Sequence, residues 1–260
     1  MNDLKSKSIG LVLSGGGVRG MAHIGLIQAL EEHGISAQTV SGSSIGALVG
    51  GLYANGNSVE DMLSLFTETP LFRYNFLTIV KPGFINTDRY FDVFKAYFPE
   101  NSFEALERRL TVVATNLQKG ELRYFSEGEL IPPLLASAAL PPVFSPVELE
   151  GELFADDGIM NNFPLEPIQD KVDFIIGSNV SKVGKLYKNA LKNSWQITGR
   201  VTSLMIYAIN RSKLESCDLL LEFPALEKIG VLDRKGIEKA YLIGYEYTSR
   251  VLDKMGMKEN

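Results

Sequence analysis

Ser44 lies in Gly42-Ser43-Ser44-Ile45-Gly46, a G-x-S-x-G segment. After a strand and before a helix, that spacing suits acyl transfer. The sharp turn lifts the hydroxyl clear of the sheet, and the helix dipole lies under the oxyanion that develops on attack. Glycines flank the serine because a side chain there would collide with neighbouring backbone. A serine hydroxyl needs a base to become a nucleophile. The chain has two histidines, His23 and His33, and both precede Ser44. The common hydrolase order places the acid and then the histidine after the serine. A Ser-His-Asp triad in that order is therefore excluded.

Two further turns carry chemistry. Gly15-Gly16-Gly17-Val18-Arg19-Gly20 satisfies G-x-G-x-x-G between a strand and a helix, the context of a dinucleotide site. Such a site also needs an acid about 20 residues on, at the end of the second strand, to hold the ribose. Here that strand ends in Ser41, Gly42 and Ser43, while Glu31 and Glu32 fall inside the helix. This argues against a nucleotide-binding module. The same turn offers N–H groups at a helix N-terminus to an oxyanion, with Arg19 adding positive charge. The other turn is Asp156-Asp157-Gly158-Ile159-Met160-Asn161-Asn162-Phe163-Pro164, after Leu153, Phe154 and Ala155. Two adjacent acids at the end of an apolar strand are costly to bury unless they serve a purpose. Asp-Gly and Asn-rich segments also make ordinary turns, so both readings stay open on the residues alone.

The elements that must position these turns follow from periodicity and punctuation. Ile9 to Ser14 reads as a buried strand and Met21 to His33 as a helix stopped by Gly34. A short strand at Thr39 to Ser41 leads to a helix from about Ile45 to Ala54. This strand, turn, helix alternation predicts a parallel sheet covered by helices. Leu110 to Asn116 and Leu122 to Phe125 read as strands. Leu130 to Leu140 reads as a helix ended by Pro141 and Pro142. Val147 to Leu149 and Glu152 to Ala155 form a hairpin turning at Glu150 and Gly151. Asp173 to Val180 and Leu219 to Phe223 read as strands, and Leu186 to Ile209 and Arg234 to Lys254 as long helices.

The 260 residues, 45% hydrophobic and 22% charged, fit one globular domain over 1–260 with a core that needs no staple. The motif-bearing part spans about 9–180, and a helical part spans about 181–260. A net charge of -5 argues against nucleic acid as a partner. Cys217 stands alone, which leaves no disulfide framework and no CxxC metal site. Met1 to Ser8 lacks the apolar core of a secretory signal, and no stretch approaches the roughly 20 apolar residues of a membrane span. The expectation is a cytoplasmic enzyme that a lipid substrate can bring to a membrane surface.

Taken in order, the glycine turn with its arginine, G-x-S-x-G, and Asp-Gly followed by Asn-Asn-x-Pro resemble the patatin-like phospholipase family. The flanking stretch Ala136 to Phe144 resembles it too, and the likeness runs from Ile9 to about Val180. It implies a three-layer α/β/α sandwich with a mainly parallel central sheet, and hydrolysis of lipid acyl esters by a Ser-Asp dyad without histidine, metal or cofactor. By position it implies Ser44 as nucleophile, Gly42 and Gly46 as the elbow, and Gly15, Gly16, Gly17 and Arg19 as the oxyanion turn. The family's Asp-Gly-Gly or Asp-Gly-Ala is here Asp156-Asp157-Gly158. Counting back from Asn161, Asn162 and Pro164 makes Asp156 the base and leaves Asp157 as second choice. The implied activity is of phospholipase A, lysophospholipase or carboxylesterase type. The alternatives are an acyltransferase working through the same acyl-enzyme and an impaired lipid-binding relative. Phe72, Tyr74, Phe76, Leu77, Ile79 and Phe84 suit an acyl channel, a lid or plain core. Lys182, Lys185, Lys188 and Lys192, with Leu186, Leu191 and Trp195 near them, suit either a solvated helix face or contact with anionic lipid.

Overall fold

The computed structural model describes residues 6–69, 86–187 and 190–256, with all side chains there except those of Asp88, Ile159 and Trp195. The aromatic segment from Phe72 to Phe84, together with Lys188, falls outside the described residues, so the channel-or-lid expectation has no structural counterpart here.

Five strands build the parallel heart of the sheet. β1 (Ile9–Leu13) is central, with β2 (Thr39–Gly42) on one side and β7 (Phe174–Asn179) on the other; β8 (Leu219–Glu222) lies beyond β7. On the other flank β3 (Arg109–Asn116) pairs parallel with β2. Antiparallel strands finish that edge: β4 (Glu121–Phe125), and the hairpin of β5 (Val147–Leu149) and β6 (Glu152–Ala155). The hairpin turns at Glu150 and Gly151, with φ of 53° and 79°. Positive φ at both central residues gives a tight turn whose twist matches the strands.

Side-chain alternation along β1 separates two cores. Ile9, Leu11 and Leu13 belong to the larger, which also holds α1 (Met21–Glu32), α2 (Ile45–Ala54), α5 (Ile131–Ser137) and α8 (Ile237–Lys254). Val12 faces a smaller cluster of Phe163, Leu165, Ile168, Ile175 and Leu214. Helices thus cover both faces of a mainly parallel sheet, an α/β/α sandwich with unequal outer layers.

Several sequence expectations need correction. The helix read at Leu186 to Ile209 is α7, Ser194–Leu214. Asn193 sets its start by accepting the Gln196 N–H, and Arg211 and Lys213 favour a late end by sitting in the negative last turn. Residues 181–187 have no regular structure, so Lys182 and Lys185 do not share a helix face. Helix α5 ends at Ser137, short of the prolines. Between the elbow and β3, α3 (Val59–Glu68) and α4 (Phe91–Tyr97) were not anticipated. A Ser58–Asp61 capping box starts α3, and α6 (Gly158–Asn161) is a single turn inside the acid motif.

Candidate active site

Strand β3 brings serine and acid together. Along one of its edges, β2 runs parallel and ends at Gly42 opposite Val112. Along the same edge β6 runs antiparallel and ends at Ala155 opposite Thr115. The two strand ends therefore point at each other with ~10 Å of β3 between them. The residues that follow, Ser43-Ser44 and Asp156-Asp157, fill that gap.

Ser44 adopts φ 52° and ψ -122°, a region L-residues avoid. This is the strained elbow that the glycines anticipate. A Cβ at Gly42 would meet the Gly46 carbonyl, and one at Gly46 would meet the Leu13 carbonyl. Backbone packing from α2 and β1 thus fixes both glycines. Ser44 is half-buried, and its Oγ–H donates to Asp156 Oδ2 at 2.6 Å. The other carboxylate oxygen, Oδ1, accepts the Gly158 N–H at 2.8 Å. Burial raises the Asp156 pKa to about 6, against the opposing pull of the Ser44 and Gly158 hydrogen bonds.

Asp157 does not touch Ser44 Oγ. Its Oδ1 accepts from Ser137 Oγ at 3.0 Å, and Ser137 Oγ in turn accepts the Ser44 N–H at 2.9 Å. The sequence placed Ser137 only in a flanking stretch and gave it no role. No local signal ties a serine at the end of α5 to an amide 93 residues earlier.

The glycine turn lies beside the dyad. Gly15 N–H donates to the Asn162 carbonyl at 3.1 Å, and the Asn162 side chain donates back to the Gly15 carbonyl at 3.3 Å. The N–H groups of Gly16 and Gly17 meet no protein acceptor among the described residues. Gly17 has φ 57°, and a Cβ there would meet the Val231 carbonyl. The Arg19 Nε–H donates to the Ile229 carbonyl at 2.7 Å, so the arginine ties this turn to the chain before α8.

Neither histidine reaches the serine. His23 is fully buried and bridges Ser178 Oγ and the Ser14 carbonyl, at 2.8 and 2.9 Å. The carbonyl can only accept, so Nε2 carries the proton and Nδ1 accepts from Ser178. Burial depresses its pKa to about 4. His33 contacts the Ala29 carbonyl and Asp253.

Ser44 and Asp156 open into a cavity of about 800 Å³. Gly16, Gly17, Arg19 and Asn162 share its wall near the dyad. Leu48, Phe66, Tyr90, Phe94, Leu135 and Phe144 form an apolar flank. Tyr90 and Phe144 meet edge to face at 6.2 Å between ring centroids. The turn bearing Tyr90 is tied to Ser145 through Thr87, whose N–H donates to Ser145 Oγ at 3.0 Å. Among the described residues no group of histidine, cysteine or carboxylates is arranged to hold a metal, and no helix is long and apolar enough to cross a membrane.

Comparison with known proteins identifies the family. The family described as Patatin-like phospholipase matches residues 11–168. An NTE family protein of Mycobacterium bovis is 36% identical over 165 residues, 63% of this chain and 46% of that one. A lysophospholipase, nte1, of Neurospora crassa is 26% identical over 283 residues, 97% of this chain and 19% of that one. The chain thus spans about half the length of the first relative and about a fifth of the second. Among solved structures, VipD from Legionella pneumophila shares the fold at a TM-score of 0.62 and 19% identity, over 95% of this chain and 67% of that one. The chain belongs to the patatin-like phospholipase family.

Proposed function

We propose that this protein is a lipid acyl hydrolase that works through an acyl-Ser44 intermediate and a Ser44–Asp156 dyad. The observation that carries the reading is the 2.6 Å hydrogen bond from a strained elbow serine to a buried carboxylate at the wall of an apolar cavity. As Ser44 Oγ attacks the ester carbonyl, its proton passes to Asp156 Oδ2. The oxyanion is met by the unpartnered N–H groups of Gly16 and Gly17 and the positive end of α2. Collapse expels the alcohol, which takes the proton from Asp156. Water then attacks the acyl-enzyme, gives a proton to Asp156, and releases the acid as that proton returns to Ser44. With a pKa of about 6, Asp156 is ionised at neutral pH yet a stronger base than an ordinary carboxylate. The Leu48, Phe66 and Phe94 flank suits an acyl chain. The intact dyad contact disfavours the impaired-relative reading.

The substrate class also bears on the surface. From Lys182 to Lys213 the chain carries seven cations and no acid, although the whole chain is net negative. On α7, Ile197, Val201, Leu204 and Met205 are exposed at helical spacing, and exposed Leu186 and Leu232 sit at the cavity. Apolar groups among cations fit a surface of anionic lipid. Sedimentation with anionic and neutral vesicles tests this: preferential binding to anionic vesicles, lost in Val201→Glu/Met205→Glu, is the expected result, and equal negligible binding to both removes it.

For the hydrolase itself the test is fluorophosphonate labelling with an ester panel of p-nitrophenyl acyl chains, phospholipids and lysophospholipids. The parent is labelled and active; Ser44→Ala is neither. Labelling and hydrolysis that survive Ser44→Ala would overturn the reading.

A further inference from the structure

The second carboxyl of the acid turn is not used by the dyad, yet it is more deeply enclosed than the first. Asp157 is 0% exposed and Asp156 3%. It stands where the family pattern carries glycine, so this chain places a side chain at a fully buried point of the site. Its surroundings are not those of a carboxylate. Oδ1 has one partner, the neutral hydroxyl of Ser137, and Oδ2 is buried with none. Ser43 Oγ, inside the elbow, is also buried without a partner. The groups that act on Asp157 are Asp156 beside it, Ser43 from the elbow and Ser137 from α5; its charge is felt in turn by Tyr124 on β4. None of these is a cation. A buried charge with one neutral hydrogen bond and an anionic neighbour is not sustainable.

We infer that Asp157 is held as a neutral carboxylic acid and positions the nucleophile: Oδ1 accepts from Ser137, which accepts from the Ser44 amide, while the Oδ2 proton is given to Ser43 Oγ. Two orphaned oxygens then satisfy each other, and the strained elbow is tied at two successive residues to the turn that carries its base. Burial first, and the Asp156 carboxylate second, push the Asp157 proton affinity well above the ordinary range, in agreement with this state. Asp157 touches no reacting atom; it acts through Ser43 and Ser137. Its neutrality leaves the adjacent Asp156 free to ionise. Ionisation of Asp157 would place a second negative charge against the base and reverse the bond to Ser43, whose hydroxyl would then have to donate.

The inference rests on the Ser44–Asp156 reading for its kinetic consequences but not for the protonation state itself, and the experiment separates the two. Asp157→Ala removes both ties and is expected to lower kcat by at least about tenfold with KM little changed, the signature of a misplaced reacting group. Asp157→Asn keeps an acceptor for Ser137 and a donor for Ser43 without an ionisable proton. It is expected to recover most of the kcat lost in the alanine variant and to abolish the alkaline limb of the pH profile, the fall in kcat that ionisation of Asp157 is expected to cause in the parent at high pH. Should Asp157→Ala fail to fold, Ser137→Ala cuts the tie to the Ser44 amide alone: kcat falls and the alkaline limb stays. Independently of activity, infrared difference spectra of the parent at neutral pH should contain a protonated carboxyl stretch that Asp157→Asn lacks. No such band, or an Asp157→Asn variant as inactive as Asp156→Asn, overturns the inference. So does an Asp157→Ala variant with parental kcat and an unchanged alkaline limb. A parent that shows the band but hydrolyses no ester overturns the hydrolase reading instead.

Discussion

At Ser44 the cost of the site lies in the backbone. A φ of 52° and ψ of -122° hold the hydroxyl forward, and the strain is locked by Gly46 pressed on the Leu13 carbonyl and Gly42 on Gly46. Across the gap in β3 the backbone is ordinary, with Asp157 at φ -78° and ψ -9°, and the cost is electrostatic. Two carboxyls sit in a place that disfavours their charge. The elbow stores conformational strain in a neutral group; the acid turn stores desolvation in relaxed chain. A mutation that relieves one side leaves the other loaded, so each can be measured separately.

Chemistry gives the largest expected effects. Ser44→Ala removes the nucleophile and is expected to lower kcat/KM by at least about 10⁴-fold, the scale seen when a covalent nucleophile is deleted. Asp156→Asn removes the base and should cost about 10²–10⁴-fold. In the parent, kcat/KM should rise with pH through about 6, because the base must be ionised and its pKa is raised to that value. An acid limb at the ordinary carboxylate position, near 4, would mean that the acid turn is wetter than its burial indicates.

Next comes the elbow's packing. Gly46→Ala drives a Cβ into the Leu13 carbonyl, backbone against backbone with nothing soft to yield. A cost of about 3 kcal/mol is expected, read as a fall in Tm, with activity lost alongside it. Parental stability in this variant would show that the elbow is not clamped by β1.

The acid turn should respond in the opposite sense. Asp156 has a folded pKa of about 6 against 3.8 unfolded, so above pH 4 the unfolded chain gives up its proton first. Stability from this group is complete below about 4, declines as pH rises to about 6, and stays reduced above. Asp156→Asn escapes that loss and should be more stable than the parent by up to about 3 kcal/mol at neutral pH, though inactive. His23 acts the other way: its pKa is lowered to about 4, so its contribution is lost as pH falls from about 6.5 to 4. Denaturant midpoints of parent and variant at pH 4.5 and 7 check the Asp156 sign, because the gap between the two proteins should widen at the higher pH; the His23 term is common to both and enters the fall of the variant's own midpoint between pH 7 and 4.5.

The same contrast explains what the sequence disclosed. The elbow is local: strand, glycines, serine and helix lie within 16 consecutive residues, from Thr39 to Ala54, and their geometry follows from spacing. The buried strands β1, β3 and β7 were legible as apolar runs for the same reason. The acid could be placed by counting back from Asn161, Asn162 and Pro164, but its pairing with Ser44 depends on β6 meeting β2 head-on along β3, a non-local event. Ser137 reaching the Ser44 amide, and Gly15 spending its N–H on Asn162, are likewise long-range contacts without a local pattern. The start of α7 was misplaced because apolar residues before Asn193 imitate helical spacing while Leu186 and Leu191 line the cavity.

The smallest expected effect isolates the strain itself. Ser44→Ala and Ser44→Gly both delete the hydroxyl and both leave Asp156 without it, so the chemical losses match. They differ at the backbone: glycine occupies positive φ freely, whereas alanine keeps the Cβ that makes φ 52° unfavourable. The glycine variant should therefore be the more stable of the two by about 1 kcal/mol, even though glycine elsewhere costs entropy in the unfolded chain. The comparison reads conformational strain free of the acid's electrostatics. Equal stability, or an advantage for alanine, would mean that the elbow is relaxed as built and that the burden of this site falls on its carboxyls alone.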